Sequence, residues 1–215
     1  MLAKILSAFG LKQSATTRAV TSVFTGLNRA VWTPRDFAHL TSEGFQKNVY
    51  VFRCVEYVST AFAGVPWCLY EKTGVYKRRL IEVRKHPLLG LWERPNPQES
   101  GTDWRARVAA FRLLSGNSYI ERVGTNAGVT KELYSLRPDR MRVKAGDRIN
   151  PIAGYEYTAN GVDIQYKPEQ ILHWKAFHPL NDWYGMSPLE AAARSIDQNN
   201  ESRAWNVALL QNSAA

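Results

Sequence analysis

Residues 100–123 read SGTDWRARVAAFRLLSGNSYIERV, and inside this stretch one periodicity gives way to another. Trp104, Val108, Phe111 and Leu114 recur at helical spacing and place an apolar stripe on one face. Ser100 stands at the N-cap position, where its hydroxyl accepts from the amide near Asp103, and Asp103 favours the positive helix start. Such a cap stabilises by about 1 kcal/mol. Ser115-Gly116-Asn117 ends the helix, and Ser118–Val123 continues as a strand. A helix that runs directly into a strand, with further short strands after it, points to the α+β class.

Downstream, four more short strands are expected at Glu132–Leu136, Met141–Lys144, Gly154–Thr158 and Val162–Tyr166, with a sixth at Ile171–Trp174. Asn126–Gly128 reads as a turn. Asn160-Gly161 is the sharpest hairpin signal in the chain, because both residues of a type I′ turn need positive φ. Gly185-Met186-Ser187-Pro188-Leu189-Glu190 opens a last helix: Ser187 caps, Pro188 takes the first helical position and Glu190 completes a capping box. This helix is expected to pass Trp205. It meets no stop signal before Asn212–Ala215, which reads as the interruption of a longer chain.

Upstream, Val51, Val55, Val58 and Phe62 form a stripe on a helix that begins near Asn48 and stops at Gly64 and Pro66. Trp67–Glu71 and Leu80–Val83 read as a hairpin turning at Gly74. His86-Pro87-Leu88-Leu89 starts a short helical piece, and Arg94-Pro95-Asn96-Pro97 forces an extended turn, because proline restricts the residue before it. Residues 1–45 read as a flexible basic arm with one short amphipathic helix at 2–11. Five cations precede the first acid, Asp36, a composition shared with organelle transit peptides.

The 215 residues suit one domain with appendages or two small domains, and 45% hydrophobic content with 25 aromatic residues argues against a disordered chain. A net charge of +9 favours a negatively charged partner. No apolar run reaches the roughly 18–20 residues that span a membrane. Cys54 and Cys68 lie outside any metal-binding spacing and read as buried free thiols.

Motifs for chemistry are missing. There is no nucleophile elbow, no phosphate-binding glycine loop and no paired histidine spacing, so neither an enzyme nor a cofactor is expected. His173 reads as a strand residue satisfied by its neighbours. Asp139, Asp147, Glu156 and Asp163 would have to meet across the sheet to serve a metal-dependent nuclease. Lys77-Arg78-Arg79 flanks a turn. Arg140, Arg142 and Lys144 share one face of a strand if alternation holds, as a contact for nucleic-acid phosphate or for another subunit. Trp92 and Trp183 are candidate interface anchors or core residues.

The order of these elements resembles the portal protein family of tailed bacteriophages. The stretches that carry it are Asn48–Pro66, His86-Pro87-Leu88-Leu89 with Arg94-Pro95-Asn96-Pro97, Leu113–Tyr119, Glu132–Arg140, Ile171-Leu172-His173-Trp174 and Asp182–Leu189. Pro95, Asn96, Gly116, Asn117, Tyr119, Gly185, Ser187 and Pro188 are the residues of these motifs with a structural reading.

The resemblance implies a non-enzymatic subunit of a homo-oligomeric ring, usually of twelve copies, at one capsid vertex of the virion. Double-stranded DNA passes through its channel during packaging and ejection. It further implies a portal-wing-like antiparallel sheet with flanking helices at 46–186, and a helix at 187–215 leading towards a stem. The clip, tunnel loop and crown would lie beyond the chain. Implied partners are capsid or scaffold proteins, a packaging motor (terminase) and neck proteins docked through the clip, after assembly in the host bacterial cytoplasm. The residues also admit a standalone basic α+β nucleic-acid-binding domain and, less well, the nuclease.

Overall fold

Asn160 and Gly161 adopt φ of 52° and 77°, which closes the hairpin their sequence demands. The computed structural model describes residues 36–73, 79–124, 129–147 and 150–212. The expected helix at 2–11, the turns at Gly74 and Asn126–Gly128, and Lys77 and Arg78 lie outside the described residues.

The described chain starts with α1 (Phe37–His39), which runs into a π-helical segment (Leu40–Gln46). It continues with α2 (Val49–Gly64), the β1–β2 hairpin (Tyr70–Thr73, Arg79–Glu82), α3 (Pro87–Glu93) and α4 (Gly101–Ser115). Then come β3 (Asn117–Gly124), β4 (Thr130–Leu136), β5 (Met141–Ala145), β6 (Ile152–Ala159), β7 (Val162–Tyr166), β8 (Ile171–Lys175) and α5 (Pro188–Asn212). All strand pairs are antiparallel, in the orders β1-β2, β4-β3-β8 and β5-β6-β7. The α+β expectation holds, with the strands after α4 divided between two three-stranded sheets.

Three clusters of buried side chains build the layers. Val55, Leu114, Leu189 and Ile196 join α2, α4 and α5. Trp104 and Val108 press the other face of α4 onto Ile120 and Leu133 of the first sheet. Tyr119, Leu136 and Ile171 on the opposite face of that sheet meet Met141 and Tyr155 of the second. Each fully buried aliphatic or aromatic side chain contributes about 2 kcal/mol. Adjacent β3 residues Tyr119 and Ile120 thus serve two different cores, as strand alternation requires.

Five details depart from expectation. Phe37–Gln46 is helical and buries Leu40 and Gly44, so part of the stretch assigned to the arm belongs to the body. Gly44 packs there against the side chains of Val51, Leu189 and Ile196. On α2, Ser59 and Ala63 are buried, whereas Val58 is exposed. Cys54 and Cys68 are exposed. Cys54 sits beside the buried stripe, and Cys68 precedes β1, which begins at Tyr70 rather than at Trp67. Arg140 closes a 3-10 turn (Pro138–Arg140), and only Arg142 and Lys144 lie on β5.

Candidate functional site

Gly116 takes φ of 75° as the left-handed C-cap of α4 and turns the chain into β3. The amide of the next residue, Asn117, is buried and ties down a segment 68 residues away. Its Oδ1 accepts from the Gly185 N–H (2.7 Å), and its Nδ2 donates to the carbonyls of Ser115 (2.9 Å) and Gly185 (3.3 Å). The Gly116 carbonyl accepts from Ala176 N–H (2.7 Å). A Cβ on Gly185 would overlap Gly116 O and both backbone polar atoms of Ala176, so only glycine fits. Ser187 completes the junction: its Oγ accepts from Leu189 N–H (3.0 Å) and donates to Leu113 O (2.9 Å), bonding the start of α5 to the end of α4.

His173 joins from β8. Its Nε2 lies 3.0 Å from Asn117 Oδ1. That oxygen is an acceptor, so Nε2 carries the proton and Nδ1 is bare. Nδ1 is buried with no hydrogen-bond partner among the described residues. The ring stacks on Tyr119 with centroids 4.3 Å apart and meets Tyr155 edge-on. Burial, aided by the Lys175 charge, pushes the His173 pKa down to about 4. Burial likewise drives the Tyr119 phenol up, beyond the range where it ionises.

Gly116, Asn117, Tyr119, Gly185, Ser187 and Pro188 therefore converge on one junction that fixes where α5 leaves the body. Pro95 and Asn96 form a second one. Asn96 Oδ1 accepts from Gln98 and Glu99 N–H (2.9 and 3.0 Å), and its Nδ2 donates to Leu133 O (3.0 Å). Leu133 N–H donates to Pro95 O (2.8 Å), docking the turn on β4. Sequence reasoning missed Arg105, whose guanidinium donates to Ala63 O and Trp92 O and lies 5.4 Å from the Trp92 ring centroid, joining α2, α3 and α4. It placed Asn48 at the start of α2, where the side chain caps the helix, but missed that its Nδ2 also donates to Asn199 and Asn200 of α5.

The basic strand is partly neutralised. Lys144 pairs with Glu156 at 3.1 Å, and Arg142 stands opposite Glu156 in the β5–β6 register. Hydrogen bonds from Gln165 first, then from Lys144, hold the Glu156 carboxyl below its usual range. The other sheet acids also have local partners: Asp139 binds Arg137, Asp163 binds Thr158, and Asp147 accepts from Asn150 N–H. Among the described residues, no three of His, Cys, Asp or Glu are grouped as a metal ion would need. Trp92 packs between Trp67 and Trp104, whereas Trp183 is exposed and donates from its indole to Pro151 O.

Residues 50–215 match the phage portal protein family, and this span holds both junctions. The chain belongs to that family. An uncharacterized protein of Rickettsia bellii (strain RML369-C) is 36% identical over 179 residues, which are 80% of this portal-family chain and 44% of the relative. A chain in the neck of an empty gene transfer agent (GTA) particle, computed with C6 symmetry, is 36% identical with a TM-score of 0.72, over 89% of this chain and 50% of that one. A chain in the neck of the native particle, computed with C12 symmetry, is 35% identical with a TM-score of 0.69, over 89% and 49%. An HK97 family phage portal protein from Corynebacterium diphtheriae shares the fold, with a TM-score of 0.55 at 12% identity over 85% and 52%. The portal-family chain thus spans about half the length of the relatives it matches.

Proposed function

We propose that this chain is the wing part of a structural portal subunit: residues 46–186 form the wing, and residues 187–215 lead towards a stem. Copies close into a ring at one capsid vertex of a virion. Double-stranded DNA passes through the channel, and ATP hydrolysis belongs to a separate motor. The observation that supports this best is the likeness, at 35–36% identity, to neck chains solved with C6 and with C12 symmetry. A twelve-subunit ring satisfies both, because six-fold symmetry is contained in twelve-fold.

The geometry agrees. α5 leaves the body through a junction of buried hydrogen bonds, and from Glu201 to Asn212 its residues are exposed. A net charge of +9 suits a neighbour of negative charge. Capsid or scaffold proteins, the packaging motor and neck proteins are the partners of this reading, with assembly in the host bacterial cytoplasm.

The test is the solution mass by light scattering, with negative-stain images of the same sample. Closed rings of about twelve copies are expected. A chain that stays monomeric at every concentration, with DNA affinity falling steeply with salt, would instead identify a standalone nucleic-acid-binding domain.

A further inference from the structure

Between β8 and α5 the loop 176–187 carries the two most exposed large apolar side chains among the described residues, Phe177 (85%) and Leu180 (91%). The loop itself is tightly held. Leu180 N–H donates to His178 Nδ1, and Asn181 Oδ1 accepts from Trp183 and Tyr184 N–H. The Trp183 indole donates to Pro151 O, Tyr184 Oη accepts from Val143 N–H, and Lys175 Nζ donates to the Asp182 carbonyl. A backbone fixed in this way presents two apolar tips that the other described residues leave almost wholly exposed.

The same chain has a concave counterpart. A groove of about 530 Å³ runs along α4 and the first sheet, walled by Trp67, Leu88, Trp92, Leu172 and Trp174. Its lining includes Arg105 and Arg122 and no acid. Both guanidinium groups bond only neutral carbonyls and hydroxyls, so neither charge is compensated by a carboxylate among the described residues. The loop brings the complementary chemistry: apolar tips and one acid, Asp182, with no Lys or Arg. Asp182 forms no ion pair among the described residues.

We propose that the Phe177–Asp182 loop of one copy docks in the aromatic groove of a second copy. A cyclic homo-oligomer needs two different surfaces that fit each other, and this chain carries such a pair. The proposal rests on the ring reading for its occupant. The two tips and the half-exposed groove wall offer on the order of a few hundred Å² per partner, short of the roughly 800 Å² of a stable pair. The contact therefore acts as one of several in a closed ring, where closure raises the effective concentration of each, and does not by itself hold a tight dimer.

The test uses the full chain in a Cys54→Ser, Cys68→Ser background, because both native thiols are exposed. One preparation carries Pro179→Cys, between the two tips and exposed, and the other Leu88→Cys on the groove wall, so that both tips are kept. Mild oxidation of the mixture is expected to yield a disulfide-linked pair. A Pro179→Cys mixture with Val162→Cys, exposed on β7, is expected to give at least ~10-fold less. Equal yields, or no link in either, overturn the proposal. A second sample, Phe177→Ser with Leu180→Ser, is imaged for rings and titrated by light scattering. Rings that close as readily as those of the unaltered chain overturn the loop contact and leave the ring reading intact. A specific cross-link in a chain that never forms rings keeps the contact and sinks the ring reading.

Discussion

Asn117 sits where three distant segments meet, so its removal is the most informative single change. Asn117→Ala leaves the Gly185 N–H buried without its acceptor and also frees His173 Nε2. Unpaired buried groups cost about 1–3 kcal/mol each, so a loss of about 3 kcal/mol is expected, read as a lower urea midpoint at unchanged slope. Gly185→Ala should be worse, because its Cβ overlaps backbone rather than a movable side chain, and little soluble protein is expected on expression. His173 makes stability depend on pH. Its folded pKa of about 4 lies below the ordinary 6.5, so between these values the unfolded chain binds a proton that the native chain refuses. The contribution is full above pH 6.5 and declines as pH falls towards 4. His173→Gln, which keeps an N–H donor for Asn117, should flatten the fall in melting temperature between pH 7 and 4.5. An unchanged slope would place that titration elsewhere.

At the scale of elements, α5 divides into two halves with different energetics. Leu189, Ala193, Ile196 and Asp197 are buried, and Asn200 Nδ2 bonds Glu43 O, whereas residues 201–212 are exposed. Ile196→Ala, in the buried half, should therefore cost about 2–4 kcal/mol, read as a lower urea midpoint. The strands were legible because alternation and the Asn160-Gly161 turn are local signals, and so were the Ser100 and Ser187 caps. The phase of α2 was harder to read, since valines, aromatics and Ala63 line more than one face and only tertiary packing selects Ser59 and Ala63. That choice carries a consequence for Cys54, on the exposed flank, as for Cys68. Both thiols should react with a disulfide reagent without denaturant, and protection of either would move it back into the core. The meeting of Gly116-Asn117 with Gly185 left no trace in the sequence beyond two turn signals, because a pairing across 68 residues has no periodicity to read.

Over the whole molecule, apolar surface is distributed unusually for a free monomer. Twenty-four large hydrophobic side chains are exposed among the described residues, against seventeen buried hydrophobic residues. Scattered single exposures are ordinary, but here Tyr50, Cys54 and Val58 line a second apolar groove of about 390 Å³ between α2 and α5. Charge and apolar surface make opposite predictions about salt. Association through the +9 net charge, as with a nucleic acid, weakens linearly in log affinity against log salt. Association through apolar faces persists as ions screen charge and strengthens in sulfate, which is excluded from protein surface. The chain alone should thus show a concentration-dependent rise in mass by light scattering that holds between ~50 and ~500 mM NaCl and grows on replacing chloride with sulfate. Loss of that rise at ~500 mM NaCl would mean that charged contacts, not these grooves, bring copies together.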